Sequence, residues 1–120
     1  MPGPIVWFDI PVVDVDRAVR FYSAVLGKPV KKVQFPGMSI GLFPHVEGES
    51  SGCLFQSSEE RPSSYGLLVY FDCGGRLDEA VAAAEAHGGK IVKAKQAIGP
   101  YGFRAIVLDS EGNRIALHSA

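Results

Sequence analysis

The chain has 120 residues, 47% of them hydrophobic and 21% charged, with a formal net charge of −1 at pH 7. This balance suits one globular domain with a real core and excludes a disordered or fibrous chain. Acids and bases are interspersed, so no basic stripe marks a nucleic-acid or anionic-membrane partner, and no apolar run reaches the roughly 18 residues of a membrane span. The opening MPGPIVWFD lacks the basic start and cleavage pattern of a secretory signal, which predicts a cytoplasmic protein. Cys53 and Cys73, without CxxC spacing, are expected to be buried thiols.

Residues 5–12 predict a first strand, in which alternation puts Trp7, Asp9 and Pro11 on one face and Val6, Phe8 and Ile10 on the other. An amphipathic helix follows, with Ala18, Phe21, Tyr22, Val25 and Leu26 at helical spacing, Asp14 or Asp16 as its cap and Gly27 at its end. Strands at 30–35, 38–43 and 52–56 complete a first unit, with a Pro36-Gly37 turn between two of them. Residues 57–64 read as a linker. The second unit repeats the order: a strand at 66–72, the helix GRLDEAVAAAEAHGG, and strands at 90–95, 103–108 and 113–118, the last two joined by Asp109-Ser110-Glu111-Gly112-Asn113.

The halves overlie with a constant shift of 62: Ala18-Val19 on Ala80-Val81, Gly27-Lys28 on Gly89-Lys90, and Val30 on Val92. The expected fold is therefore α+β, two tandem βαβββ modules (about 1–58 and 65–120) in a single domain. Each helix covers one sheet face, so two such sheets facing each other would enclose a cleft. A ferredoxin-like βαββαβ domain competes, but it accounts for only four of the eight strands.

IPVVDVDRAVRFYSAVLG (10–27) and FRAIVLDSEGNRIAL (103–117), at this separation, resemble the vicinal oxygen chelate superfamily of glyoxalase, bleomycin-resistance and dioxygenase-like proteins, over essentially the whole chain. The resemblance implies that the modules form a curved sheet around this cleft, a pocket commonly completed by a second chain in a homodimer. In family enzymes it also implies a divalent metal held by His, Glu or Gln from the first and last strands of both modules. Carried onto this chain, those positions fall on Trp7, Leu54, Val69 (or Leu67) and Ala116, none of which supplies a lone pair in the ordinary way. No metal and no other cofactor is expected. A two-residue slip offers Asp9, Gln56, Phe71 and His118 instead, a set that includes three possible ligands.

The expected pocket wall is thus Trp7, Asp9, Leu54, Gln56, Leu67, Val69, Phe71, Ala116 and His118, with Tyr101 or Phe103 placed over it by the GPYGF turn. Phe35, Met38 and Phe43 form another wall or plain core. Asp9 orients a ligand or pairs with His118 or Arg104, although a buried acid satisfied by backbone N–H groups or a side-chain partner accounts for it equally well. His118 also fits an edge-strand residue, His87 a helix end and His45 a surface loop. Two functions stay open: a metal-free module that binds a small, partly aromatic molecule, or a lyase or isomerase related to lactoylglutathione lyase that uses Asp9 with His118 or Tyr101.

Overall fold

A computed structural model describes residues 4–120, except for the side chain of Phe35, whose expected place as wall or core lies outside the described residues. The elements follow the chain as β1 (Trp7–Pro11), α1 (Val15–Leu26), β2 (Lys31–Phe35), β3 (Met38–Leu42), β4 (Ser51–Phe55), β5 (Val69–Asp72), α2 (Leu77–Ala86), β6 (Lys90–Ala97), β7 (Phe103–Leu108) and β8 (Arg114–Ser119). They form two four-stranded mixed sheets, ordered β1-β4-β3-β2 and β5-β8-β7-β6, which are two tandem βαβββ modules. The strand from 66 begins at Val69, and β6 runs on to Ala97 because two register shifts let it stay paired with β7. Among the described residues no helix is long and apolar enough to cross a membrane.

Helix α1 starts where the Asp14 side chain accepts from the Arg17 amide at 3.1 Å, and it ends at Gly27 in the left-handed region, φ 66°. A side chain at Gly27 would meet a second obstacle, since its Cβ would stand 2.8 Å from the Arg76 guanidinium. That guanidinium donates to the Val25 carbonyl at 3.2 Å and ties the end of α1 to the start of α2. The apolar stripe of α1, Val15, Ala18, Phe21, Tyr22 and Val25, is buried, and α1 packs against α2. Both modules share one core. Phe71 of the second module stacks within 5.3 Å of Tyr22 and Phe43 and within 5.9 Å of Phe8, all three from the first.

The turn at 109–113 clasps the first module. Asp109 Oδ1 accepts from the amides of Glu111 (2.8 Å) and Asn113 (2.9 Å), which fixes the turn, while its Oδ2 accepts from the buried Tyr22 hydroxyl at 2.5 Å. Burial, and then the Asp109 charge, push the Tyr22 hydroxyl well above its usual range, so it remains a donor. Asn113 Nδ2 donates to the Pro11 carbonyl at 2.8 Å. Glu111 reaches furthest: its carboxylate accepts from the amides of Val13 (2.9 Å) and Asp14 (2.8 Å) and from Arg17 Nε (2.7 Å) and Nη2 (2.8 Å). Two amides between β1 and α1 thus find their acceptor in the other module.

Burial alone would raise the Glu111 pKa, but the hydrogen bonds from Arg17, the Asp14 amide, Ser110 and the Val13 amide outweigh it and hold the carboxyl at about 2, against an ordinary 4.5. A depressed carboxyl stabilises the fold above pH 4.5 and loses that contribution as pH falls from there toward 2. Glu111→Gln should therefore lower the unfolding free energy at pH 7 by about 1–3 kcal/mol in urea titrations. The gap to the parent protein should close progressively below pH 4.5. A difference independent of pH would show that the carboxylate charge plays no part in the clasp.

Candidate functional site

With the helices packed together in the middle, each sheet has one covered face and one open face. On the first sheet Phe8, Ile10 and Leu54 point to the helices, and the register pairs Asp9 with Cys53 and Trp7 with Ser51 on the open side. Asp9 Oδ1 accepts from the Trp7 indole N–H at 3.0 Å and from the Cys53 thiol at 3.3 Å. Burial, followed by the hydrogen bond to Asp9 and its charge, pushes the Cys53 thiol up to about 11, which keeps it protonated and a poor nucleophile. Asp9 therefore has side-chain partners within its own sheet, neither of them His118 nor Arg104.

The open face of the second sheet carries the denser chemistry. There β5 contributes Tyr70, β7 Arg104 and Ile106, and β8 Ala116 and His118, with Arg104 opposite His118 and Tyr70 beside Ala116. The Arg104 guanidinium donates through Nη1 to the Tyr70 hydroxyl and lies 5.9 Å from the centre of that ring. The Tyr70 and His118 rings are 6.3 Å apart. His118 Nε2 stands 2.6 Å from the Tyr101 carbonyl oxygen, which can only accept, so Nε2 carries the hydrogen in this contact. Tyr70, Ile98, Tyr101, Arg104 and His118 line a cavity of about 510 Å³. The turn that brings Tyr101 there is a single 3-10 turn, Gly99–Tyr101, closed by Gly102 at φ 95°.

Several residues expected on one wall are separated. Leu54 and Phe71 are buried in the core, Val69 packs against that core, and the Gln56 side-chain oxygen accepts from the Val15 amide at 2.9 Å at the start of α1. Phe103 lies on the other side of β7 from Arg104, 5.3 Å from the Lys95 ammonium. Phe43 is core, Met38 and His45 are exposed, and His87 caps the end of α2. Trp7, Asp9, Leu67 and Val69 do share a cavity, of about 390 Å³, between β1 and the segment leading into β5, together with Tyr65 and Arg114.

The cause is a slip in the repeat. The helices keep the shift of 62, Ala18 and Ala80 being equally buried, but Val12 and Cys73, which make the same backbone bond to β4 and β8, are 61 apart, and the core residues Leu54 and Leu117 are 63 apart. One residue flips a strand position to the opposite face. The open-face counterparts of Trp7 and Ala116 are thus Leu68 and Cys53 rather than Val69 and Leu54. The extra glycine in Gly74-Gly75 was the legible sign of the first offset; Tyr70, Ile98 and Cys53 were missed.

The family's metal does not fit these residues. An indole, a leucine and an alanine offer no lone pair to a cation, and the remaining Cys53 is a thiol bound to Asp9. Among the described residues no three His, Cys, Asp or Glu side chains converge.

Known proteins share this architecture. A glyoxalase/bleomycin resistance protein from Albidiferax ferrireducens T118 superposes with a TM-score of 0.76 at 18% identity, over 97% of this chain and 98% of that one. A glyoxalase/bleomycin resistance protein/dioxygenase family enzyme from Burkholderia phytofirmans PsJN gives 0.70 at 20% identity, over 94% and 95%. One mutant of glyoxalase I from Zea mays gives 0.67 at 18% identity, with this chain spanning 48% of its length. No curated protein matches by sequence. The sequence pattern of one family matches residues 4–117, and the chain belongs to that family, the Glyoxalase/Bleomycin resistance protein/Dioxygenase superfamily.

Proposed function

We propose that this chain binds a small, partly aromatic molecule in the cavity between Tyr70, Arg104 and His118, without a resident metal or other cofactor. The cavity carries this reading. At about 510 Å³ it falls within the size of small-molecule sites, and it joins two tyrosine rings and Ile98 to a guanidinium and an imidazole. A homodimer completes the cleft. Both sheets have an open face, β1 and β5 are edge strands, and Trp7, Tyr65 and Leu67 beside them are exposed, Leu67 by 94%. Edges and apolar surface of this kind favour a partner. Two buried, unpaired thiols, Cys53 and Cys73, support work in the reducing cytoplasm.

Binding is preferred over lyase or isomerase chemistry because the Asp9 carboxylate is taken up by the Trp7 indole and the Cys53 thiol, and burial with Asp9 nearby keeps that thiol protonated. An Asp9–His118 pair has no support within one chain.

A neutral two-ring probe, 2-naphthol, should shift the His118 ring resonances in NMR titrations, and Tyr70→Ala should weaken its binding about tenfold, or about 1.4 kcal/mol. Shifts confined to the Trp7 indole, or an affinity unchanged in the variant, would count against this cavity. Light scattering should give twice the 12.9 kDa chain mass, and a monomer at all concentrations would defeat the completed cleft.

A further inference from the structure

Resting on the cavity reading above, we infer that the molecule it receives is an aromatic carboxylate, whose negative charge binds at Arg104. Arg104 is a cation without a counter-ion. Its one hydrogen bond goes to the neutral Tyr70 hydroxyl, its Nε–H is buried with no acceptor, and among the described residues it takes part in no ion pair. Among the described residues no acidic side chain lines the cavity. The nearest acid along the ladder is Asp72, opposite His118, and its carboxylate instead accepts from the Gly74 amide at 2.8 Å. One further group at the site adds to the preference for an anion. The Tyr70 hydroxyl is occupied as an acceptor from Arg104, which leaves its proton for an incoming oxygen, while the His118 Nε2–H is engaged by the Tyr101 carbonyl and its ring serves as a wall.

The cavity is a shallow, aromatic-walled hollow with Tyr70 and Tyr101 both exposed, so the guanidinium acts there as a partly solvated surface charge flanked by rings rather than as a buried one. Its planar donor set suits the two oxygens of a carboxylate. The apolar share of the wall, Tyr70, Tyr101 and Ile98, requires the rest of the ligand to be flat and apolar, which separates an aromatic acid from a free inorganic anion. Arg104 would then set specificity for charge, while the rings hold the body of the ligand.

The test compares naphthalene-2-carboxylate with the isosteric naphthalene-2-carboxamide by calorimetry, with His118 resonances reporting the place of binding. The parent protein should bind the carboxylate at least tenfold more tightly than the amide, and raising the salt should weaken only the acid. Arg104→Gln should abolish the preference, and Arg104→Lys should restore part of it. Because the ligand pair is compared on the parent protein, the result does not depend on how the variants fold. Equal affinities at His118 would overturn the charge assignment and leave the aromatic cavity standing. If neither compound perturbs His118, the cavity reading itself fails, and this inference with it. Phosphate competing as well as the carboxylate would assign the site to simple anions and overturn the aromatic acid.

Discussion

The Glu111 carboxylate, carried by a turn of the second module to the start of the first module's helix, is the constraint on which the rest of the molecule depends. Five donors converge on it, four of them from the first module, and around it Asp109 and Asn113 fasten Tyr22 and Pro11. The clasp fixes how the modules meet: helices inward against a shared aromatic cluster, far faces of both sheets outward. It is an electrostatic device laid over a hydrophobic one, since Phe71 lies among Phe8, Tyr22 and Phe43 directly behind it. Neither part alone selects a single arrangement. Apolar packing is non-directional, whereas a carboxylate with four first-module donors at fixed positions is not.

The outward faces then differ in chemistry although they descend from one repeated plan. On the first sheet the acid is spent locally, between an indole and a thiol, and the surface beside it is apolar. On the second sheet a cation stands among aromatic rings and, among the described residues, no acid pairs with it. The positions onto which the resemblance carries the family's metal ligands hold side chains without donors to a cation, and the polar groups Tyr70 and His118 stand one pleat further along the same strands.

Most of the fold was legible because its signals are local and redundant. Phe21, Tyr22 and Val25 announce the buried stripe of α1, Gly27 its end, and the Asp109–Asn113 turn the last hairpin, so eight strands and two helices were placed within a few residues. The site was legible only where a position adjoins such a signal: Trp7 and Asp9 next to α1, Ala116 and His118 next to the turn. Leu54, Val69 and Phe71 were located by carrying the repeat across the chain, and there a single inserted residue sufficed to turn them inward. A helix absorbs such an offset in its connecting loop, but a strand, with its period of two, converts it into a change of face. The partnership of Arg104 with Tyr70 spans 34 residues and two strands, so no local pattern announces it.

The central claim is that the two modules are one cooperative unit held at Glu111. Native-state hydrogen exchange tests it most directly, read at the Val13 and Asp14 amides, which donate to Glu111, and at the β7 and β8 amides of the second module. The account requires all of them to open with one common free energy. If the amides of the first module exchanged through a separate, lower-energy opening while β7 and β8 stayed protected, the clasp would be ornamental and the open faces would not be fixed relative to each other.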